Sequence, residues 1–184
     1  MNLILVGFMA SGKTSVGRRV ARRLGYRFLD TDHFIESQLG CSIAELFASK
    51  GEAHFRALES RLARRLSALT NTVVATGGGL PVTPGNFEAL RAAGVIVFLN
   101  ADVDEIIQRL QRDTRRPKVQ GGDLRDKVLK LHGERFPVYS KADVIVDTKG
   151  KSVNFVAGDV IRLSAEAMRV RAAAQQSLAQ TQSA

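Results

Sequence analysis

The segment from Gly7 to Thr14 has the residue types and spacing that bind the phosphates of a nucleotide. It reads Gly-Phe-Met-Ala-Ser-Gly-Lys-Thr and matches the pattern G-x-x-x-x-G-K-[ST]. The glycines let backbone amides turn toward an anion, the lysine can reach the outer phosphates, and the threonine hydroxyl can ligate magnesium. An ordinary glycine-containing turn at a strand–helix junction is the alternative. The predicted phosphate ligands are Gly7, Ala10, Ser11, Gly12, Lys13, Thr14 and Ser15.

Two carboxylates follow the next apolar run of the sequence. Asp30 and Asp32 stand two residues apart after Phe28-Leu29. At the carboxyl end of a parallel strand, both side chains can face the crevice that holds the phosphate loop. Phosphoryl transfer needs magnesium on the phosphates and an oriented acceptor hydroxyl, and two carboxylates could divide these tasks. The alternative makes Asp32 a helix N-cap and Asp30 a solvated turn residue.

A glycine triplet, Gly77-Gly78-Gly79, follows the third apolar run. Without side chains, its backbone can approach a ligand closely and offer amide donors, although a flexible turn is the alternative. Upstream, Arg56 stands three residues before Glu59 in a helical segment, so the two side chains are neighbours. A guanidinium fixed in this way suits a carboxylate ligand. An ordinary surface ion pair is the alternative, and it is the usual outcome for such spacing.

Two more arginine segments are candidates for contacts with a transferring phosphate. Arg115-Arg116-Pro117 lies in a polar, basic stretch, and Arg135 lies in Glu134-Arg135-Phe136-Pro137. Arginines brought onto a phosphate stabilise its charge and replace water when a site closes. The alternatives are a solvated loop charge for Arg115 and a helix-surface charge for Arg135.

The elements that must position these residues alternate between strand and helix patterns. Helical segments separate five apolar runs, which predicts a parallel α/β sheet with helices on both faces. The strand-length runs are Leu3–Val6, Tyr26–Leu29, Thr72–Ala75, Val95–Leu99 and Val144–Val146. We expect one domain over residues 1–165, with a helical insertion at about 33–69 that binds the acceptor. A mobile lid is expected at about 112–126 and a flexible tail at 166–184.

Composition narrows the function classes. The chain has 184 residues, enough for one domain with a proper core, and a formal net charge of +9. That charge suits a polyanionic small ligand or nucleic acid, but no aromatic stripe or nucleic-acid-binding signature accompanies it. We expect no membrane-spanning segment and no signal peptide. A single cysteine, Cys41, favours a reducing, cytoplasmic setting, and the three histidines lack metal-ligand spacing.

Taken together, these motifs resemble the shikimate kinases over about residues 1–161. The phosphate loop, the acidic pair and the glycine triplet fall in that family's order and approximate spacing. So do three longer segments, Gly51 to Glu59, Arg116-Pro117 and Glu134 to Tyr139. The resemblance implies a three-layer α/β/α fold with a five-stranded parallel sheet in the order 2-3-1-4-5. It also implies an ATP- and magnesium-dependent kinase that phosphorylates the 3-hydroxyl of shikimate in aromatic amino-acid biosynthesis.

The resemblance also implies roles for individual residues. Lys13 and the loop amides would hold the ATP phosphates, Thr14 would ligate magnesium, and Asp30 would position magnesium through water. Asp32 would orient or activate the attacking hydroxyl. The remaining implied contacts are Arg56 and Arg135 on the shikimate carboxylate, Gly77, Gly78 and Gly79 along the ring, Arg116 on the phosphates from the lid, and Arg112 on the adenine.

Two departures and two rival functions accompany this interpretation. Lys118 follows Arg116-Pro117 where the family usually has leucine, and Leu80-Pro81 follows the glycines where a small residue is common. The nearest rival is a small-molecule kinase of the same fold that acts on gluconate, which also carries a carboxylate and hydroxyls. A nucleotide-dependent module that binds nucleic acid is the second rival. The family is commonly monomeric, so we expect a monomer with ATP and shikimate as ligands.

Overall fold

A five-stranded parallel sheet forms the centre of the computed structural model, which describes residues 1–112 and 124–181 and no side chains after residue 173. The strands are β1 (Asn2–Val6), β2 (Arg27–Asp30), β3 (Thr72–Ala75), β4 (Gly94–Asn100) and β5 (Val144–Asp147). They lie in the order β2-β3-β1-β4-β5, with every neighbouring pair parallel. The predicted sheet and strand order are therefore confirmed.

The described helices connect these strands. They are α1 (Lys13–Leu24), α2 (Thr31–Leu39), α3 (Ile43–Arg65), α4 (Asn86–Ala93), α5 (Val103–Arg112), α6 (Leu124–Tyr139) and α7 (Val153–Thr181). Short 3₁₀ turns occupy Leu66–Ala68 and Leu80–Val82.

Alternation along the strands divides the core between the two faces of the sheet. On β1, Leu3 and Leu5 belong to a cluster with Val16 and Val160, from α1 and α7. The alternate residues of β1 belong to a second, larger cluster with α2 to α6. Because successive side chains of a strand point to opposite faces, one buried strand supplies both layers. The sheet is thus covered on both sides, which gives the predicted three layers.

The segment predicted as an acceptor-binding insertion consists of most of α2 and all of α3. Ser42 caps α3 through a capping box with Glu45. The helix is interrupted at Gly51, whose φ of 78° and ψ of 167° are not helical. A positive φ of this size favours glycine, so this residue allows the second half of α3 to change direction. That second half carries Arg56 and Glu59.

The predicted lid and the predicted tail lie at the ends of the described ranges. Most of the predicted lid, residues 113–123, lies outside the described residues. The predicted tail began at residue 166, whereas α7 continues to Thr181, and Arg171 donates hydrogen bonds to the carbonyl oxygens of Gly94 and Arg91. Within the described ranges, none of the helices is both long enough and apolar enough to cross a bilayer.

Candidate active site

The phosphate loop lies between β1 and α1 and carries an unusual backbone. Gly7, Ala10 and Gly12 all have positive φ, at 145°, 58° and 93°. A side chain at Gly7 would also collide with the carbonyl oxygen of Leu99 on β4. The Lys13 ammonium is buried and donates hydrogen bonds of 2.8 and 2.7 Å to the carbonyl oxygens of residues 7 and 8. The loop is therefore a preformed cradle whose lysine is held on its inner side.

The first carboxylate of the acidic pair contacts the hydroxyl at the end of this loop. Thr14 Oγ1 donates a hydrogen bond of 2.7 Å to Asp30 Oδ2. The other oxygen, Asp30 Oδ1, accepts from the backbone amides of Asp32 and His33 and so caps α2. The capping role that the alternative interpretation gave to Asp32 thus belongs to Asp30. Asp32 lies in the first turn of α2, with its side chain turned toward the glycine triplet.

The donor set beside the loop fits a magnesium ion carried by a nucleotide. A hydroxyl and a carboxylate meet there, and both supply the oxygen ligands that this cation prefers. No group of three or more histidine, cysteine or acidic side chains that could hold a metal occurs among the described residues. Magnesium bound with phosphates uses only one or two protein ligands, so this sparse arrangement suits it.

Two cavities open beside the phosphate loop and share part of their walls. The first, of about 690 Å³, contains the phosphate loop, Asp30 and Arg109. The second, of about 540 Å³, contains Arg56, Glu59 and Arg135. Both are lined by Met9, Asp32, Gly77 and Gly78. Asp32 is thus the acidic residue at the boundary between a phosphate compartment and a compartment rich in arginine.

The arginine-rich compartment is organised around Arg56. Its guanidinium donates 2.6 Å hydrogen bonds to Glu59 Oε2 through Nη1 and to Glu52 Oε1 through Nη2. The Glu59 side chain is fully buried, whereas that of Glu52 is 55% exposed. The Arg56–Glu59 pair differs from an ordinary surface ion pair because Glu59 is removed from water and holds the Arg56 guanidinium in place.

The second oxygen of Glu59 makes this carboxyl unusual. Oε1 is buried and has no hydrogen-bond partner among the described residues. Burial raises the pKa of Glu59 to about 7, although the ion pair with Arg56 opposes the shift, and nearby Asp32 adds to it. The acceptor compartment therefore contains a carboxyl group that titrates near neutral pH.

The glycine triplet provides the space that these side chains occupy. A Cβ atom at Gly79 would overlap the guanidinium of Arg56, and one at Gly77 would overlap the carboxylate of Asp32. A Cβ at Gly78 would lie 3.5 Å from Arg135 Nη1. The backbone is thus approached closely by charged groups from three helices, which a merely flexible turn would not require.

Helix α6 closes the compartment opposite Arg56. The Arg135 guanidinium lies over the Phe8 ring, 5.7 Å from its centroid. One turn later, the Tyr139 hydroxyl donates a 2.5 Å hydrogen bond to the carbonyl oxygen of Gly78. Burial raises the pKa of Tyr139 to about 12, so the phenol remains protonated and can donate this bond. Tyr139 therefore fixes the glycine triplet relative to the helix that carries Arg135.

The structure brings together nearly all of the predicted site residues that it describes. Arg116 lies outside the described residues. Arg112 is described but does not line the phosphate-side cavity, whereas Arg109, one turn earlier, does. Sequence analysis also missed Thr148 and Lys151, between β5 and α7, and Val153 at the start of α7, which line that cavity. The two arginines share a basic stretch, and only the orientation of α5 distinguishes them.

Comparison with known proteins is consistent across sequence and structure. The family model described as shikimate kinase matches residues 9–165. A shikimate kinase of Geobacter metallireducens is 44% identical over 86% of this chain and 89% of its own length. One of Caldanaerobacter subterraneus is 40% identical over 88% of this chain and 94% of its own length. Their sequences therefore align with nearly the whole domain.

Solved structures also include a shikimate kinase that is similar to this chain. A shikimate kinase from Acinetobacter baumannii in complex with shikimate is similar, with a TM-score of 0.85 and 36% identity over 90% of this chain and 93% of that one. A gluconokinase from Sinorhizobium meliloti has a TM-score of 0.59 and 17% identity over 92% and 95% of the two chains. At that identity the gluconokinase shares only the fold.

Proposed function

The chain belongs to the shikimate kinase family, and we propose that it transfers the terminal phosphoryl group of ATP to the 3-hydroxyl of shikimate at the two joined cavities. The observation that carries this assignment is the position of Asp32 on the wall common to the phosphate loop and the Arg56 compartment. Phosphoryl transfer requires the acceptor hydroxyl and the phosphate to meet in line. A carboxylate at that boundary can orient the hydroxyl and accept its proton.

The acceptor compartment has the chemistry that shikimate requires. Shikimate is a small carboxylate with several ring hydroxyls, and Arg56 and Arg135 would bind its carboxylate from two sides of the cavity. Gly77, Gly78 and Gly79 would support the ring, because their lack of side chains leaves room beside both arginines. The hydroxyl nearest Asp32 would then face the phosphate loop.

The phosphate compartment would hold ATP through the loop. Backbone amides from Gly7 to Ser15 and the Lys13 ammonium would bind the phosphates, for which Lys13 exchanges carbonyl partners for phosphate oxygens. Magnesium, held by Thr14 and through water by Asp30, would neutralise phosphate charge. Arg109 on α5 would face the base, and Arg116, from the predicted lid at 112–126, would reach the phosphates.

The proposal extends to the state of the protein in the cell. We expect a monomer in the cytoplasm that acts within the pathway leading to aromatic amino acids. The residues at 33–69 are assigned to acceptor binding, since Asp32 precedes them directly and Arg56 lies within them.

Release of ADP from the purified protein tests this function. With ATP and magnesium, we expect turnover that depends on shikimate and a product phosphorylated on the 3-hydroxyl, with gluconate giving none. Lys13→Ala should lower kcat by roughly 100-fold or more, because it removes a cation from the developing phosphate charge. Circular dichroism checks that this variant remains folded.

The rivals predict different results. Turnover on gluconate without turnover on shikimate would refute the assignment and favour the gluconate kinase. Tight, salt-sensitive binding of nucleic acid without kinase activity would favour the binding module.

A further inference from the structure

The far end of the phosphate-side cavity is formed by two segments that are distant in sequence. One wall is Arg109 on α5, and the other is the segment between β5 and α7, with Thr148 and Lys151, together with Val153 at the start of α7. With the phosphates on the loop, the base and sugar of a nucleotide would lie in the rest of this cavity, whose whole volume is about 690 Å³. For a nucleotide to bind, the two walls must stay at a fixed separation from each other and from the loop.

A single carboxylate contacts both walls. Glu105 Oε2 accepts a 2.6 Å hydrogen bond from Arg109 Nη2, and Glu105 Oε1 accepts a 2.8 Å hydrogen bond from the backbone amide of Gly150. Its side chain is 26% exposed, so these bonds are partly shielded from water. Glu105 therefore uses one oxygen for each wall.

The same chain of contacts reaches the phosphate loop. Arg109 Nη1 donates a 3.1 Å hydrogen bond to the carbonyl oxygen of Ala10, one of the two described non-glycine residues with positive φ. The guanidinium thus joins the loop to Glu105, and Glu105 joins the guanidinium to Gly150. Asp102 caps α5 by accepting hydrogen bonds from the backbone amides of Asp104 and Glu105, while both carboxylate oxygens of Glu105 are directed to Arg109 and Gly150.

We propose that Glu105 is a positioning residue for the nucleotide, because its carboxylate holds Arg109 and the β5–α7 segment at the separation that ATP requires. This inference rests on the proposed function only in taking the phosphate-side cavity as the ATP site. Glu105 does not itself line that cavity, so its effect passes through the two groups that it holds. It should change nucleotide affinity and leave the acceptor compartment unaffected.

Glu105→Ala tests the inference against Asp104→Ala. Both substitutions remove an acidic residue from the first turn of α5 and an ion pair with an arginine, since Asp104 Oδ1 pairs with Arg125 at 2.8 Å. We expect Glu105→Ala to raise the KM for ATP and the Kd for ADP roughly tenfold, while Asp104→Ala changes either by less than about twofold. The KM for shikimate and the kcat at saturating ATP should stay near their original values.

Further measurements separate positioning from general stability. We expect Glu105→Gln to recover part of the ADP affinity, because one amide oxygen can still accept from Gly150. In the Arg109→Ala background, Glu105→Ala should have a smaller effect than alone, since the two residues act together. Equal ADP affinities in the two alanine variants would overturn the inference, as would a parallel loss of shikimate affinity. A failure of the original protein to bind ADP would instead refute the nucleotide site itself.

Discussion

The phosphate end and the acceptor end of the joined cavity are built in different ways. The predicted phosphate ligands at one end lie in a single segment of nine consecutive residues, Gly7 to Ser15, and they would bind largely through backbone amides. The acceptor end draws Asp32, Arg56 and Arg135 from three helices and the glycine triplet from a fourth place in the chain. Its predicted contacts are charged side chains that depend on their neighbours, since Glu52 and Glu59 hold Arg56, and Arg135 lies over the ring of Phe8.

The two ends should therefore differ in how well they tolerate amino-acid substitutions. A backbone cradle depends on φ and ψ angles, so most side-chain changes beyond its glycines, lysine and threonine leave it intact. A compartment of mutually supporting charges fails when one support is removed, because the partner is then left buried and unpaired. Substitution of an acceptor-end residue that does not also line the phosphate-side cavity, such as Arg56, should therefore affect shikimate binding and leave ATP binding unaffected.

Arg56→Ala should produce the largest selective effect. Loss of a guanidinium–carboxylate contact in a shielded site costs about 2–4 kcal/mol, so the KM for shikimate should rise roughly 30- to 1000-fold. The KM for ATP should change by less than about twofold, since Arg56 does not line the phosphate-side cavity. Steady-state kinetics with each substrate varied in turn provides both values.

Arg61→Ala is the matched control, because Arg61 is an exposed arginine on the same helix, five residues later. It should leave both KM values nearly unchanged. If Arg56→Ala raised the two KM values equally, the separation of the two ends would be wrong.

Gly79→Ala should have the next largest effect and tests whether the triplet acts by making space. The new methyl group would overlap the guanidinium of Arg56, which would have to shift and weaken its pairing with the buried Glu59. We therefore expect a rise of roughly tenfold in the KM for shikimate together with some loss of stability. Kinetics and thermal unfolding measure the two quantities separately.

Gly133→Ala supplies the comparison for this substitution. Its Cβ would meet nothing within 4 Å, and alanine favours the helix α6 in which it lies. This variant should keep its shikimate affinity and gain slightly in stability. A Gly79→Ala protein with unchanged shikimate kinetics would show that the close approach to Arg56 has no role in binding.

The same contrast explains what could be predicted from sequence. The phosphate loop is contiguous, and its motif predicted its place between β1 and α1. The strand order was predicted from a family resemblance, and the buried runs Thr72–Ala75 and Val95–Leu99 marked their strands because parallel strands are apolar on both faces. The loop and the strands depend on local pattern and can be read from neighbouring residues, whereas the strand order required the resemblance.

The remaining features depend on contacts between distant segments. Nothing in the local sequence shows that one Glu59 oxygen lies near Asp32 without a hydrogen-bond partner among the described residues, or that Tyr139 bonds to Gly78. The residues of these two pairs are separated by 27 and 61 positions. The local sequence also does not show which of Arg109 and Arg112 lines the phosphate-side cavity. Both lie on α5, and only the direction of the helix relative to the loop determines which one reaches Ala10.

The buried carboxyl of Glu59 gives a final test of the acceptor end, through stability instead of kinetics. Its pKa is about 7 in the folded protein against 4.5 for an ordinary glutamate, so folding favours the protonated form. This contribution is fully present below about pH 4.5 and is lost as the pH rises through 7. The groups that face it are Asp32 on α2, Arg56 on α3, and Arg135 and Tyr139 on α6.

Denaturant unfolding of the original protein and of Glu59→Gln at pH 5 and pH 8 isolates this contribution. The stability advantage of the original protein over the variant should shrink by about 1 kcal/mol or more between these values, because only the original protein must ionise a buried group. The exposed Glu88 on α4, substituted in the same way, should show no such change. A pH-independent difference for Glu59→Gln would mean that the carboxylate stays ionised throughout, held by Arg56 alone.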